Sequence, residues 1–203
     1  ADADVVVERE YNTVTVHQGY IEPESETGLI TSDGEITIWA PTQGTFLHRE
    51  ELAALMDVPI EKITVLPLEI GGGFGGKEHI RISPLCVALS RKCELPVQIT
   101  LTREEVLIGT GPGAATVSSV KIGAKSDGAI TSLTAKFIYS GGCYPGGPIQ
   151  RAIWCAVMPY QIPNFKLQGY DVVTNKPKTV PYRAPGGAAA TFAIESSIDE
   201  YGG

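Results

Sequence analysis

Five glycines within six residues, Gly71 to Gly76, constrain this chain more than any other feature of its sequence. They follow a strand-like segment, 63–70, and precede Lys77 and Glu78. A backbone without Cβ atoms can adopt left-handed angles and bring its N–H groups against a bulky polar ligand. Each glycine also costs about 0.5–1 kcal/mol relative to alanine in a regular element. The run therefore predicts a ligand-binding loop rather than an ordinary turn.

Two nucleotide-binding motifs match part of this loop. Gly71, Gly73 and Gly76 have the spacing of a dinucleotide fingerprint, and Gly71, Gly76 and Lys77 match most of a P-loop. A P-loop needs Ser or Thr after the lysine to bind magnesium, but Glu78 stands there and its charge opposes a phosphate. A dinucleotide fold needs repeated βαβ units, whereas the segments that follow resemble a hairpin. Nucleotide binding remains an alternative, and so does a non-catalytic interaction domain.

The remaining chain predicts an α+β fold of mixed or antiparallel sheets with a few packed helices, in one domain over 1–203. Segments rich in Val, Ile and Thr predict strands at 13–16, 35–39, 62–66, 97–101, 116–122 and 130–139. Segments 46–56, 83–93 and 188–201 are expected as helices, the second with Ser83 as its N-cap and Pro84 as its first helical residue. Residues 125–128 have the composition of a hairpin turn.

Charge and cysteine usage exclude several classes of protein. The net charge of −7 and the pI near 5.0 disfavour binding to nucleic acid or to an anionic membrane. The longest apolar run, 152–158, is too short to span a bilayer, so we expect a cytoplasmic protein. Four cysteines without Cys-x-x-Cys spacing give no support for a zinc or iron–sulfur site, and no metal ligand is assigned. We expect these thiols to be reduced and mostly buried.

The loop 71–78, Gly-Gly-Gly-Phe-Gly-Gly-Lys-Glu, resembles the signature loop of the molybdenum hydroxylases, the xanthine dehydrogenase/aldehyde oxidase family. Three further segments resemble motifs of that family in the same order. Segment 17–24 resembles its early His/Tyr/Glu motif, and segment 39–46 resembles the stretch that carries a cofactor-binding glutamine. Segment 180–187, which runs on to Ile194 and Glu195, resembles its arginine loop. These matches identify the chain as the amino-terminal part of a molybdopterin-binding domain.

The resemblance implies roles for individual residues. Gln43 would hydrogen-bond an oxo ligand or the pterin, and the loop backbone at Gly73, Phe74 and Gly75 would approach the cofactor. Glu78 would face a purine-like or other N-heterocyclic substrate.

In the arginine loop, Arg183 would stabilise charge that develops on the substrate. Ala184 stands where carbon monoxide-oxidising members have cysteine, which argues against their copper–molybdenum chemistry. The pair Ala184-Pro185 also differs from the Gly-Phe of the animal xanthine enzymes, whose stacking of the substrate is therefore in doubt here. Aldehydes remain open as substrates.

The family's catalytic base lies in a motif downstream of the arginine loop, and none of the glutamates here is assigned to that role. The resemblance places [2Fe–2S] clusters and FAD on other domains or subunits, and it makes those and the rest of the molybdopterin domain the expected partners. The chain does not begin with Met, and its last expected helix has an apolar face that needs a partner. We therefore expect a fragment of a larger subunit that is inactive by itself.

Overall fold

The computed structural model describes residues 2–202, which form eight β-strands and five α-helices. The strands are β1 (Val5–Thr13), β2 (Ser25–Ile30), β3 (Ile36–Ala40), β4 (Ile63–Pro67), β5 (Val97–Thr100), β6 (Thr116–Ala124), β7 (Ile130–Gly142) and β8 (Phe165–Val173). The helices are α1 (Thr45–Met56), α2 (Ser83–Cys93), α3 (Arg103–Gly109), α4 (Ile149–Val157) and α5 (Gly187–Gly202). The protein therefore has the α+β fold that its sequence predicts.

The elements form two compact units. We call residues 18–111 the continuous unit, and residues 2–17 with 112–202 the split unit. Each unit has its own four-stranded sheet and its own apolar core. A single molybdopterin-binding domain over 1–203 remains a prediction.

The split unit contains the sheet β1-β6-β7-β8. Strands β1, β6 and β7 are antiparallel, and β8 joins β7 in parallel after the crossover helix α4. Helices α4 and α5 pack on the sheet, where they bury Phe137 and Ile194. Gly128, at a φ of 90°, closes the predicted hairpin turn by donating its N–H to the carbonyl of Lys125.

The continuous unit contains the sheet β4-β3-β2-β5. Strands β3 and β4 are parallel and are joined by α1, while β2 pairs antiparallel with β3 and β5. Alternate residues of β3, namely Ile36, Ile38 and Ala40, are buried in a core to which Leu52 of α1 and Val87 of α2 belong. Gln43 lies between β3 and α1, and the glycine loop lies between β4 and α2. Both segments therefore leave the carboxyl ends of neighbouring parallel strands.

Several local predictions are wrong. The expected strand at 13–16 shares only Thr13 with β1, and Val16 forms only an isolated bridge with Gly113. Ser83 is the first residue of α2 rather than its N-cap, which is Ile82; the hydroxyl of Ser83 donates to the carboxylate of Glu26 instead of capping the helix. Five elements were not predicted from the sequence: β1 apart from Thr13, and the whole of β2, β8, α3 and α4.

The cysteines are free but are not mostly buried. Cys86 is buried, whereas Cys93, Cys143 and Cys155 are exposed. Within residues 2–202, no three His, Cys, Asp or Glu side chains cluster as metal ligands. None of the helices in the same range is both long and apolar enough to cross a bilayer.

Candidate cofactor site

The glycine loop, Gly71 to Glu78, is a series of tight turns rather than an extension of β4. Three of its residues have positive φ: Gly72 at 92°, Phe74 at 53° and Gly75 at 97°. The N–H of Gly76 donates to the carbonyl of Gly73 over 2.8 Å. Positive φ at Phe74 is unusual because the Cβ atom makes the left-handed region unfavourable, by about 1–2 kcal/mol for L-residues. The fold thus holds the single aromatic residue of the loop in a strained conformation, and its side chain is 45% exposed.

Gln43 joins this loop through its side chain. Its Oε1 accepts hydrogen bonds from the backbone N–H groups of Gly75 over 2.9 Å and Lys77 over 3.2 Å. The backbone N–H of Gln43 donates to the carbonyl of Lys77 over 2.8 Å. Two N–H donors on one oxygen fix which end of the amide is the carbonyl. The Nε2 group makes no hydrogen bond to any residue in 2–202, so Gln43 presents a free donor next to the glycine loop.

The same contacts show how the glycines of the loop are used inside the protein. The N–H of Gly75 donates to Oε1 of Gln43 and is therefore not available to a ligand. A Cβ at Gly73 would lie 2.4 Å from Oε1 of Gln43, and a Cβ at Gly76 would lie 2.7 Å from Cε1 of Tyr20. These glycines are required by close packing inside the protein, and the glycine run alone does not establish a ligand.

Lys77 lies beneath the loop instead of reaching outwards. Its ammonium donates to Oε2 of Glu22 over 2.6 Å and lies 4.9 Å from the centre of the Tyr20 ring. Only 2% of the residue is exposed. The following helix, α2, begins only at Ser83. A P-loop needs a lysine that reaches its phosphates and a helix that begins in the loop, so neither feature of nucleotide binding is present.

Glu78 is half-buried beside Gly44, where an added Cβ would lie 3.9 Å from Cγ of Glu78. Its carboxylate has no hydrogen-bond or ion-pair partner among residues 2–202. Because α2 starts five residues later, Glu78 is not the cap of that helix. The carboxylate is therefore available to an external group.

Arg183 belongs to the split unit, whereas Gln43, the loop and Glu78 belong to the continuous unit. Its side chain is exposed and makes no hydrogen bond or ion pair within 2–202. Its loop is held through the backbone: Tyr139 donates its hydroxyl to the carbonyl of Gly186 over 2.7 Å, and Ala184 turns the chain at a φ of 61°. An apolar cavity of about 250 Å³ lies beside the loop in the same unit, lined in part by Tyr182 and Phe192.

Sequence reasoning missed a buried polar cluster in the continuous unit. Nε2 of His48 lies 2.6 Å from the hydroxyl of Ser83, which also binds the carboxylate of Glu26. Burial, followed by the charge of Glu24, raises the pKa of Glu26 to about 7 against the hydrogen bond from Ser83. Burial also lowers the pKa of His48 to about 4, so at neutral pH the 3.9 Å approach of His48 to Glu26 is not an ion pair. No local motif marks these residues, because they are far apart in the sequence.

Comparison with known proteins identifies the family. A sequence profile of the molybdopterin cofactor-binding domain matches residues 1–202. The chain belongs to this family. Its relatives are oxidoreductases of the xanthine dehydrogenase/aldehyde oxidoreductase type, and the chain corresponds to one domain of them.

Two curated relatives and one solved structure illustrate the similarity. The chain is 32% identical to a probable xanthine dehydrogenase subunit of Bacillus subtilis (strain 168), covering 99% of this chain and 27% of the relative. It is 28% identical to the nicotinate dehydrogenase large molybdopterin subunit of Eubacterium barkeri, covering 97% of this chain and 47% of the relative. The crystal structure of quinoline 2-oxidoreductase from Pseudomonas putida 86 matches with a TM-score of 0.90 at 25% identity, over 98% of this chain and 26% of that one. The chain thus spans less than half the length of each.

Proposed function

We propose that this chain forms one part of the molybdenum cofactor site of a hydroxylase that oxidises N-heterocycles or aldehydes. The main observation in its support is the free Nε2 donor of Gln43. Two backbone N–H groups fix the direction of this uncharged donor. Such a donor suits an oxo or pterin oxygen, because it stabilises partial negative charge on that oxygen without transferring a proton to it. When bound, the cofactor supplies a two-electron oxidation in which a water-derived oxygen enters the substrate.

The other residues have complementary tasks in this proposal. The backbone of Gly73 and Phe74 and the exposed ring of Phe74 contact the cofactor, and Gly75 contributes through its carbonyl rather than its N–H. The unpaired carboxylate of Glu78 hydrogen-bonds the substrate. The exposed guanidinium of Arg183 stabilises charge that develops on it.

The names of the relatives include both substrate classes. Xanthine, nicotinate and quinoline are N-heterocycles, whereas other relatives are named aldehyde oxidoreductases. A carboxylate such as Glu78 can accept a hydrogen bond from a ring N–H. We therefore place N-heterocycles before aldehydes. The remaining segments of the domain and subunits carrying [2Fe–2S] and FAD complete the enzyme, and the chain alone is inactive.

A conservative substitution, Gln43→Glu, tests the proposal. Glutamate keeps an oxygen for the N–H groups of Gly75 and Lys77 but replaces the Nε2 donor with a second acceptor. Loss of a polar contact next to a metal centre typically lowers metal-site affinity 10–100-fold. When the cofactor is limiting, content follows affinity, and we expect the enzyme assembled with this variant to retain about a tenth or less of the wild-type molybdenum, measured by elemental analysis.

Gln161→Glu adds the same charge at an exposed position of the split unit and serves as the control. Wild-type molybdenum content in Gln43→Glu would show that Gln43 does not face the cofactor. Thermal shifts with ATP and NAD cover the nucleotide-binding alternative, and we expect neither nucleotide to raise the melting temperature.

A further inference from the structure

One carboxylate joins the two ends of the glycine loop. Oε2 of Glu22 accepts the N–H of Gly71, at the start of the loop, over 2.8 Å, and the ammonium of Lys77, near its end, over 2.6 Å. The N–H of Glu22 also donates to the carbonyl of Gly71 over 3.2 Å. Gly71 is packed so closely against Glu22 that a Cβ there would lie 2.5 Å from Cβ of Glu22. The loop is therefore closed at its base by one side chain from outside it.

The ion pair between Glu22 and Lys77 is important because the ammonium of Lys77 is buried. The side chain of Lys77 is 1% exposed, and a buried ammonium is unfavourable by several kcal/mol unless it is paired. The side chain of Glu22 is 36% exposed, so water reaches the carboxylate but not its partner. Partial burial acts to raise the pKa of Glu22, but the hydrogen bonds from Lys77 and Gly71 outweigh it and lower the pKa. Glu22 is therefore charged at neutral pH, as the pair requires.

Tyr20 fixes the position of the ammonium. Its ring contacts Gly76 and lies under Nζ of Lys77 at 4.9 Å, a distance suited to a cation–π interaction. The hydroxyl of Tyr20 donates to the buried carboxylate of Glu24 over 3.1 Å. The ring therefore has little freedom to move, and the ammonium above it is held on one side by Tyr20 and on another by Glu22.

We infer that Glu22 and Lys77 form a clasp that positions the glycine loop and, through it, the amide of Gln43. Lys77 belongs to both contacts: its ammonium binds Glu22, and its backbone N–H donates to Oε1 of Gln43. Opening the clasp releases the end of the loop and with it one of the two bonds that orient Gln43. Both are positioning residues, and their effect on the cofactor rests on the function proposed above.

The test uses the double variant Glu22→Gln/Lys77→Met, which removes both charges at once. Breaking only one side leaves an unpaired buried charge that can unfold the protein, whereas replacing both with neutral groups of similar size preserves the fold. We expect amide hydrogen exchange at Gly75 and Lys77 to become at least tenfold faster in the chain without cofactor. Exchange in β6 and β7 stays at the wild-type rate.

An exposed ion pair gives the matched control. Glu8 and Lys121 approach to 2.8 Å on neighbouring strands, with side chains 68% and 55% exposed. Pairs of this kind contribute little to stability, so Glu8→Gln/Lys121→Met leaves exchange in the loop unchanged.

Exchange and cofactor content separate this inference from the proposed function. Wild-type exchange at Gly75 and Lys77 in the double variant overturns the clasp, whatever the cofactor content. Fast exchange together with a several-fold loss of molybdenum from the assembled enzyme supports both ideas. Fast exchange with full molybdenum content supports the clasp as a device that orders the loop and counts against the loop as the cofactor site.

Discussion

The two units differ in what they bury. Within residues 2–202, all the buried acidic and basic side chains lie in the continuous unit; they are Glu24, Glu26, His48 and Lys77. The buried polar residues of the split unit are hydroxyl-bearing, namely Thr116, Ser118, Thr179 and Ser197. The described apolar core of the split unit also has twelve buried residues, against seven in the continuous unit.

This contrast indicates that the two units are stabilised by different kinds of interaction. The split unit is stabilised by apolar packing, which is insensitive to pH. The continuous unit places ionisable groups under its sheet and under the glycine loop, where desolvation shifts their pKa values and partners fix their geometry. Between pH 5 and pH 8 its stability should therefore depend on pH, while that of the split unit should not, because the shifted groups there titrate outside this range: the pKa of Asp4 is lowered, and those of Tyr139 and Tyr160 are raised to about 12.

The two tryptophans allow this comparison to be measured, because Trp39 lies in the continuous unit and Trp154 in the split unit. A Trp39→Phe background makes fluorescence report the split unit, and a Trp154→Phe background makes it report the continuous unit. Urea denaturation followed through each tryptophan then gives the transition midpoint for the unit that contains it.

The largest effect is expected for Phe137→Ala in the core of the split unit. Phe137 is completely buried, and truncation of a buried phenylalanine usually lowers the free energy of unfolding by about 3–5 kcal/mol. The loss should be the same at pH 5 and pH 8. Phe165→Ala, on a residue that is 59% exposed in the same unit, should lower stability by less than about 1 kcal/mol. A pH-dependent loss at Phe137 would contradict the proposed difference between the units.

Glu26→Gln should change how the stability of the continuous unit depends on pH. The pKa of Glu26 is raised from 4.5 to about 7 by burial, so the unfolded chain ionises first as the pH rises. The wild-type protein therefore loses about 3 kcal/mol of stability between pH 4.5 and pH 7. The variant does not, because glutamine cannot ionise. We expect the stability of the variant relative to wild type to increase by about that amount from pH 4.5 to pH 8.

His48 acts in the opposite direction but does not obscure the comparison. Its pKa falls from 6.5 to about 4 on burial, so the stability it contributes is lost as the pH drops through that range. Burial, opposed by Glu51, sets this shift and Glu26 does not, so the contribution of His48 largely cancels in the difference between the two proteins. A difference between Glu26→Gln and wild type that stays constant with pH would show that Glu26 ionises normally in the folded protein.

The smallest effect is expected for Ala184→Gly in the arginine loop. Ala184 has a φ of 61°, which glycine adopts without the Cβ penalty. The substitution should raise the free energy of unfolding of the split unit by about 0.5–1 kcal/mol. Ala188→Gly, in α5, serves as the control and should lower it. A loss of stability in Ala184→Gly would mean that the left-handed turn is not retained in solution.

Much of the fold is local enough to be predicted. The Ser83-Pro84 start places α2 within one residue, and the composition of 125–128 gives the hairpin. Helix α3 was missed although Thr102 and Glu105 form a capping box that is visible in the sequence. Strand β8 has few β-branched residues, so its extended conformation depends on pairing with β7.

The candidate site also has a part that could be predicted from the sequence and a part that could not. The glycine run, Gln43 and Arg183 are recognisable from residue type and order. The contacts of Glu22 with Lys77 and of His48 with Ser83 join residues 55 and 35 positions apart, and periodicity carries no information about such pairs. The sequence also could not show that Gly73 and Gly76 are required by Gln43 and Tyr20, because that depends on side-chain packing.

The parallel pairing of β3 with β4 has a consequence for how this protein can diverge. Ile36 pairs with Ile63 and Ala40 with Pro67, so Gln43 and the glycine loop leave the sheet side by side. Substitutions at exposed positions of the connecting helix α1, or changes in the length of its connection to β4, leave that alignment intact as long as the two strands keep their partners. A slip of one residue between the strands would turn every side chain of one strand to the opposite face and carry Gln43 away from the loop. Descendants of this sequence are thus free to vary at exposed positions of α1 but are held to a single alignment of the strands themselves.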